Sequence, residues 1–227
     1  CLRNHLVSGE NLIKVSTKIK VSTPSLMSSW IDSCISQLGL RGYVDFLFLW
    51  GPTIDELAKP ELSDFLASLL RSGKIKSLGI NTHETKVIEY ICDCNLPFEI
   101  SHLMLDYNMV QFSRDPLIAK LDSMGIRVWA GTALCQGFLC KSLIQIFART
   151  RSVSYLVRAL CNRPTVKIRA SANCARRILR ADYPFWAANL PLAYNLQDER
   201  IYRVPVGMLS VSTINKNVFA ELCPVPG

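Results

Sequence analysis

What the chain lacks narrows its function first. No apolar run approaches the roughly 20 residues of a membrane helix, so no spanning helix is expected. There is no glycine-rich phosphate loop and no Gly-x-Ser-x-Gly elbow, which leaves nucleotide hydrolysis and serine chemistry without a starting point. Cys92-Asp93-Cys94 is too tight for a zinc knuckle, and no second pair or nearby His completes it, so no metal site is expected. Between Arg149 and Arg180 acidic residues are missing altogether. Aromatic interleaving of the kind that single-stranded nucleic-acid binders use is missing there too.

What is present suits one sizeable α/β domain. The chain has 227 residues, 49% hydrophobic and 19% charged, enough to bury a core. Nine cysteines (1, 34, 92, 94, 135, 140, 161, 174, 223) are scattered, odd in number and often set in apolar segments. That pattern suits free thiols in a reducing intracellular compartment better than a disulfide framework. Nine Lys or Arg residues lie between 149 and 180, while the whole chain carries +8, so the remainder sums to −1. The segment reads as a solvated helical surface, with Val153, Leu156 and Leu160, then Ile168, Ala172, Ala175 and Leu179, near helical spacing. It also reads as a contact for an acidic protein or lipid headgroups.

Hydrophobic periodicity predicts strands and helices in alternation. Strands are expected at Leu12–Ile19, Tyr43–Leu49, Lys76–Ile80, His102–Tyr107, Arg127–Ala130 and Met208–Ser212. Helices are expected at Pro24–Leu38, Glu56–Arg71, Glu84–Cys92, Asp115–Met124 and Asn217–Leu222, with an irregular and helical stretch up to about Gln197. Such alternation implies a parallel sheet with right-handed crossovers. About six βα units are counted, where a closed barrel has eight.

Taken in order, "VSTKIK" (15–20), "LGLRGYVDFLFLWGPT" (38–53), "LLRSGKIKSLGI" (69–80), "LDYN" (105–108), "GIRVWAGTAL" (125–134) and "GMLSVSTINKN" (207–217) resemble the aldo-keto reductase family. The resemblance runs from that family's third barrel strand onward. It implies a single (β/α)8 TIM-barrel domain over 1–227, lacking the first two units, with a divergent loop and helical region at 134–200. It also implies NADP(H) at the C-terminal face of the strands and carbonyl reduction.

The family's chemistry uses a Tyr acid, a Lys and an Asp that tune it, and a His beside the carbonyl. Lys18 matches the Lys, the His position reads Trp50, and the Tyr and Asp belong to the two units not matched. The pair that holds the nicotinamide amide reads Asn81 and Thr82, the Gln of the next strand reads Met104, and the stacking aromatic reads Gly131. Thr132, Leu134 and Gly137 match a cofactor loop. Ser212, Thr213 and Lys216 match a phosphate-holding helix start, and the adenosine-gripping residues fall at Ala220 and Cys223. His83, after the strand that ends near Ile80, is a second candidate at the functional face, and His102 reads as structural.

These residues imply an eroded site with NADP(H) binding weak or lost. The expected function is a degenerate family member serving as a structural or accessory subunit. The alternative is a working NADP(H) carbonyl oxidoreductase whose first two units lie outside this chain. A third reading is a non-redox enzyme around Lys18, Asn81 and His83. Sheet edges at Lys14–Ile19 and Leu209–Ser212 are expected to recruit another polypeptide or a further N-terminal segment. The sequence opens on Cys1 rather than Met, as a processed chain or fragment would.

Overall fold

The computed structural model describes residues 14–94, 96–207 and 210–223. Six strands, β1 (Ser16–Ile19), β2 (Val44–Trp50), β3 (Ile75–Asn81), β4 (His102–Asp106), β5 (Arg127–Gly131) and β6 (Ile201–Arg203), form one sheet in chain order. The registered pairs are parallel, with Lys18 opposite Phe48, Phe48 opposite Gly79 and Gly79 opposite His102. Helices alternate with the strands, as a parallel sheet requires. The chain divides into two compact units, one of residues 1–104 and 120–127, the other of 105–119 and 128–227.

In the first unit, helix α1 (Pro24–Leu38) is bracketed by its own sequence. Pro24 occupies the first turn, where no N–H is needed, and Gly39 takes the left-handed conformation (φ 63°) that lets its N–H close on the last carbonyls. Its Met27 and Ile31 are fully buried, each contributing about 1.5–3 kcal/mol of transfer free energy. β2 is apolar at nearly every position and buried from Phe46 to Leu49, as a two-sided strand should be. The helix expected over Glu56–Arg71 is two helices, α2 (Ile54–Leu57) and α3 (Pro60–Arg71). Thr53 and Glu56 form a reciprocal capping box at α2, while Pro60 holds Lys59 extended (ψ 123°) and so separates the two. Leu62, Leu66 and Leu69 of α3 and Val87, Ile88 and Ile91 of α4 (Thr85–Asp93) complete this unit's core.

β4 and helix α5 (Asp115–Ser123) each contribute to both units. The second unit adds helices α6 (Leu143–Thr150), α7 (Val153–Cys161), α8 (Arg163–Asp182), α9 (Leu190–Leu196) and α10 (Val211–Phe219). Cys135, Phe138, Leu139, Ile146, Ala159 and Ala172 form one of its cores. α8 buries Thr165, Ala172 and Leu179, and Arg176 donates to the carbonyls of Phe138 (2.7 Å) and Lys141. Tyr107, at the end of β4, is buried with its hydroxyl 3.0 Å from both Asp115 Oδ1 and Asp198 Oδ2, while Arg200 grips Asp198 through Nε and Nη2. One hydroxyl proton serves only one carboxylate at a time, so Arg200 supplies the remaining donors.

Three expectations need correction. Of the strand expected at Met208–Ser212, residues 208–209 lie outside the described residues. Ser210 caps a helix by accepting from the Thr213 N–H (3.2 Å), and Val211 and Ser212 are its first turn. The edge strand and the helix start at Asn217 therefore give way to α10, followed by a 3-10 turn at Ala220–Leu222. The last strand is instead Ile201–Arg203, paired with β5. On α7 the buried face is not Val153 and Leu160, which are exposed, but Ala159 with half-buried Tyr155 and Leu156. Of the first strand, expected at Leu12–Ile19, Leu12 and Ile13 lie outside the described residues, and at the expected edge Lys14–Ile19 the strand β1 stands first in the sheet order.

Candidate functional site

In the first unit the strand register decides what meets. Residues two apart share a face, so Lys18, Trp50, Asn81 and Met104 belong to one side of the sheet at the C-terminal ends of their strands. Lys18 Nζ donates to Asn81 Oδ1 at 3.2 Å, and Asn81 Nδ2 donates to the Met104 carbonyl at 3.2 Å. The Thr82 N–H reaches the same carbonyl at 3.1 Å, and the Thr82 hydroxyl accepts from the Glu84 N–H at 3.1 Å. Asn81, Thr82 and Met104 are buried. The carboxamide is therefore engaged at both its oxygen and its nitrogen by groups of the protein.

Trp50 closes β2 and is 52% exposed, with the Lys20 ammonium 5.5 Å from its ring centroid. A cleft of about 450 Å3 is lined by Lys18, Lys20, Leu26, Trp30 and Trp50 among others. Lys20 and Trp30 were not singled out from sequence. Lys20 was within reach, since it stands two residues after Lys18 on the same face, but Trp30 carried no signal because helix orientation is tertiary. His83 is exposed beyond β3. His102 is buried against Phe46, edge to face with centroids 4.9 Å apart.

The second unit holds a cavity of about 700 Å3. Leu134 and Gly137, from the loop after β5, line it together with Ser212, Thr213, Lys216 and Ala220 of the C-terminal segment. Thr132 does not line it. Its left-handed backbone (φ 53°) is held by its hydroxyl donating to Asp106 Oδ1 at 2.8 Å and by its carbonyl accepting from Asn108 Nδ2 at 3.2 Å. Gly131 closes β5 and accepts from the Tyr107 N–H at 3.1 Å. Cys223 packs with Leu179, Leu190 and Ala193 instead of facing the cavity. Gln136, Cys140, Lys141 and Asn189 join the lining from positions that no sequence pattern marked. Burial pushes the Cys140 thiol up despite the nearby Lys141 and Arg176, so it is not poised as a thiolate.

The aldo/keto reductase family matches residues 13–223, nearly the whole chain. The chain belongs to the aldo-keto reductase family. Solved structures agree on the fold. Aldo-keto reductase AKR11C1 from Bacillus halodurans in its holo form superposes with a TM-score of 0.71 at 19% identity, over 100% of this chain and 72% of that one. Its apo form gives 0.70 at 19%, covering 100% and 71%. An aldo/keto reductase from Klebsiella pneumoniae in complex with NADP and acetate gives 0.70 at 14%, covering 100% and 70%. The comparison with curated proteins finds no match. The sheet is thus six strands of an aldo-keto reductase (β/α)8 fold.

The cofactor implied by the aldo-keto reductase family meets two different donor sets. The second unit's cavity offers the Ser212 hydroxyl and the Lys216 ammonium beside a helix start, chemistry that fits a phosphate. The first unit offers the nicotinamide amide an already engaged Asn81 carboxamide, a Thr82 hydroxyl turned to Glu84 and the thioether of Met104. No cluster of His, Cys, Asp and Glu suited to a metal occurs among the described residues. Among them, too, no helix is long and apolar enough to cross a membrane.

Proposed function

We propose that this chain keeps the aldo-keto reductase fold without the family's redox chemistry and serves as a structural or accessory subunit of a larger protein assembly. The observation that carries this is Trp50. It stands at the end of β2 where the family's His belongs, and an indole can neither donate a proton to an alkoxide nor accept one. Met104, Gly131 and the engaged Asn81 support the same reading for cofactor binding, and all lie inside the chain. Lys18 then serves to orient Asn81, not to tune an acid. The partner in this reading is protein, and the compartment is a reducing one.

A second reading, a working NADP(H) carbonyl oxidoreductase, draws on the cavity that gathers Leu134, Gly137, Ser212, Thr213 and Lys216. Titration of NADPH against the purified chain, followed by calorimetry, separates the two. Degeneracy expects weak or absent binding. A dissociation constant at or below the micromolar scale, about −8 kcal/mol, would favour the reductase. Turnover of a generic aldehyde with NADPH should stay at background, and Lys18→Met should change nothing. Activity in the parent that the variant loses would refute degeneracy.

A further inference from the structure

Nine cations without one carboxylate between residues 149 and 180 are more than a solvated surface needs, and the structure divides those whose side chains it describes by role. Arg176 is turned inward onto two carbonyls. Arg151, Arg158, Arg163, Lys167, Arg177 and Arg180 are exposed. Between them α7 does something a core helix does not do. Its inner face is already satisfied, with Ala159 buried and Tyr155 set 6.0 Å from the Phe138 ring, its hydroxyl donating to the Gln136 carbonyl at 3.1 Å. Yet Val153, Val157 and Leu160, spaced to share one face, stand 66%, 53% and 52% exposed on the outside. The one arginine of α7, Arg158, lies over the Tyr155 ring, 5.4 Å from its centroid, and the outward apolar stripe has no internal explanation.

We infer that the outer face of α7, with the cations that flank it, is a docking surface for an anionic phospholipid bilayer, on which the protein lies without spanning it. The chemistry matches on both counts. Three aliphatic side chains give shallow insertion at the level of the headgroups, and the surrounding cations meet the negative surface potential. The cations lie on the link before α7, on α7 and on α8, a spread that suits laterally mobile headgroup charge better than the fixed carboxylates of a folded protein. Nucleic acid fits worse, because the one aromatic ring of the segment, Tyr155, is packed inward and offers no stacking platform. Of the α8 cations, Arg163, Lys167 and Arg177 are exposed and fall on the side of the helix away from its buried Thr165, Ala172 and Leu179, so their charge is presented and not spent in the core.

The test is flotation of the full chain with vesicles of phosphatidylcholine alone, or with about a third phosphatidylserine, in about 0.1 M salt. Binding is expected only to the serine-containing vesicles, and it should fall as salt rises to about 0.5 M. The pair Arg163→Gln with Lys167→Gln, both exposed, should weaken partitioning about tenfold or more. Val157→Asp should weaken it comparably, with the far-ultraviolet dichroism of every variant unchanged. No partitioning onto the serine-containing vesicles would overturn the inference. So would binding that Val157→Asp leaves intact. Full displacement by soluble polyglutamate or by an oligonucleotide would assign the surface to an acidic polypeptide or a nucleic acid instead.

Discussion

Gly79→Ala should unfold the first unit more readily than any surface change, and the cost can be worked from neighbouring atoms. Gly79 sits mid-strand in β3, and an added Cβ would lie 2.5 Å from Phe48 Cε1, 2.6 Å from Phe48 Cδ1 and 3.0 Å from the His102 carbonyl oxygen. The ring cannot simply swing away, because Phe48 is fully buried and the His102 ring stands 6.5 Å from it. The carbonyl belongs to strand β4 and cannot move without disturbing the sheet. Overpacking of this kind costs about 1–3 kcal/mol, and a clash with both a ring and a backbone belongs at the upper end. Alanine restricts the unfolded chain and returns about 0.4–1 kcal/mol, which leaves a net loss of about 2 kcal/mol. For a chain of this size that lowers the melting temperature by about 4–8 °C. Urea unfolding of parent and variant measures it directly. Phe48→Leu in the Gly79→Ala background should recover part of the loss, giving a coupling of about 1 kcal/mol. Gly42→Ala is the control, since it meets nothing within 4 Å and pays only for its φ of +84°. Phe48→Leu should not rescue it. A Gly79→Ala variant within about 0.5 kcal/mol of the parent would refute the reasoning.

Tyr107→Phe removes a buried hydroxyl that bridges Asp115, Asp198 and Arg200, and should cost about 2 kcal/mol by urea unfolding. Burial pushes the Asp198 carboxyl up, but the bonds from Arg200 and Tyr107 outweigh it and hold the group below the usual carboxylate range. Its stabilisation is therefore present above the unfolded value of about 3.9 and is lost as pH falls through the lower folded value. Stability should drop below about pH 4, and Asp198→Asn should flatten that acid limb while lowering stability at neutral pH. Thr132→Val keeps the left-handed strain at residue 132 and removes the bond to Asp106, so a loss of about 1–2 kcal/mol is expected in thermal unfolding.

Local signals decided how much of this could be read in advance. Pro24 and Gly39 fix both ends of α1 without help from the rest of the fold, and the apolar run through Phe46–Leu49 can only be a buried element. Ser210 shows the limit, because a hydroxyl that caps a helix also ends strands, and only its bond to the Thr213 N–H separates the two. Ile201–Arg203 is three residues long and owes its strand character to pairing with β5, which no window over the sequence contains. α7 failed for another reason. Apolar residues occur on two of its faces, so periodicity gives a helix but not its orientation. At the site, Lys18 and Asn81 were named separately, but their bond spans 63 residues and follows from strand register. The gathering of Leu134, Gly137, Ser212, Thr213 and Lys216 came from family resemblance alone.

Arg176 has a consequence for how the second unit responds to anything that touches it. Its guanidinium is the hinge pin between a long helix and the loop that follows β5, since one nitrogen takes the carbonyls of both Phe138 and Lys141. Cys140 and Lys141 are cavity wall, and α8 is the helix that carries most of the exposed cations. Wall and helix are thus tied by one side chain. Removing charge from the surface can spare this residue; removing Arg176 itself would leave both carbonyls without that donor.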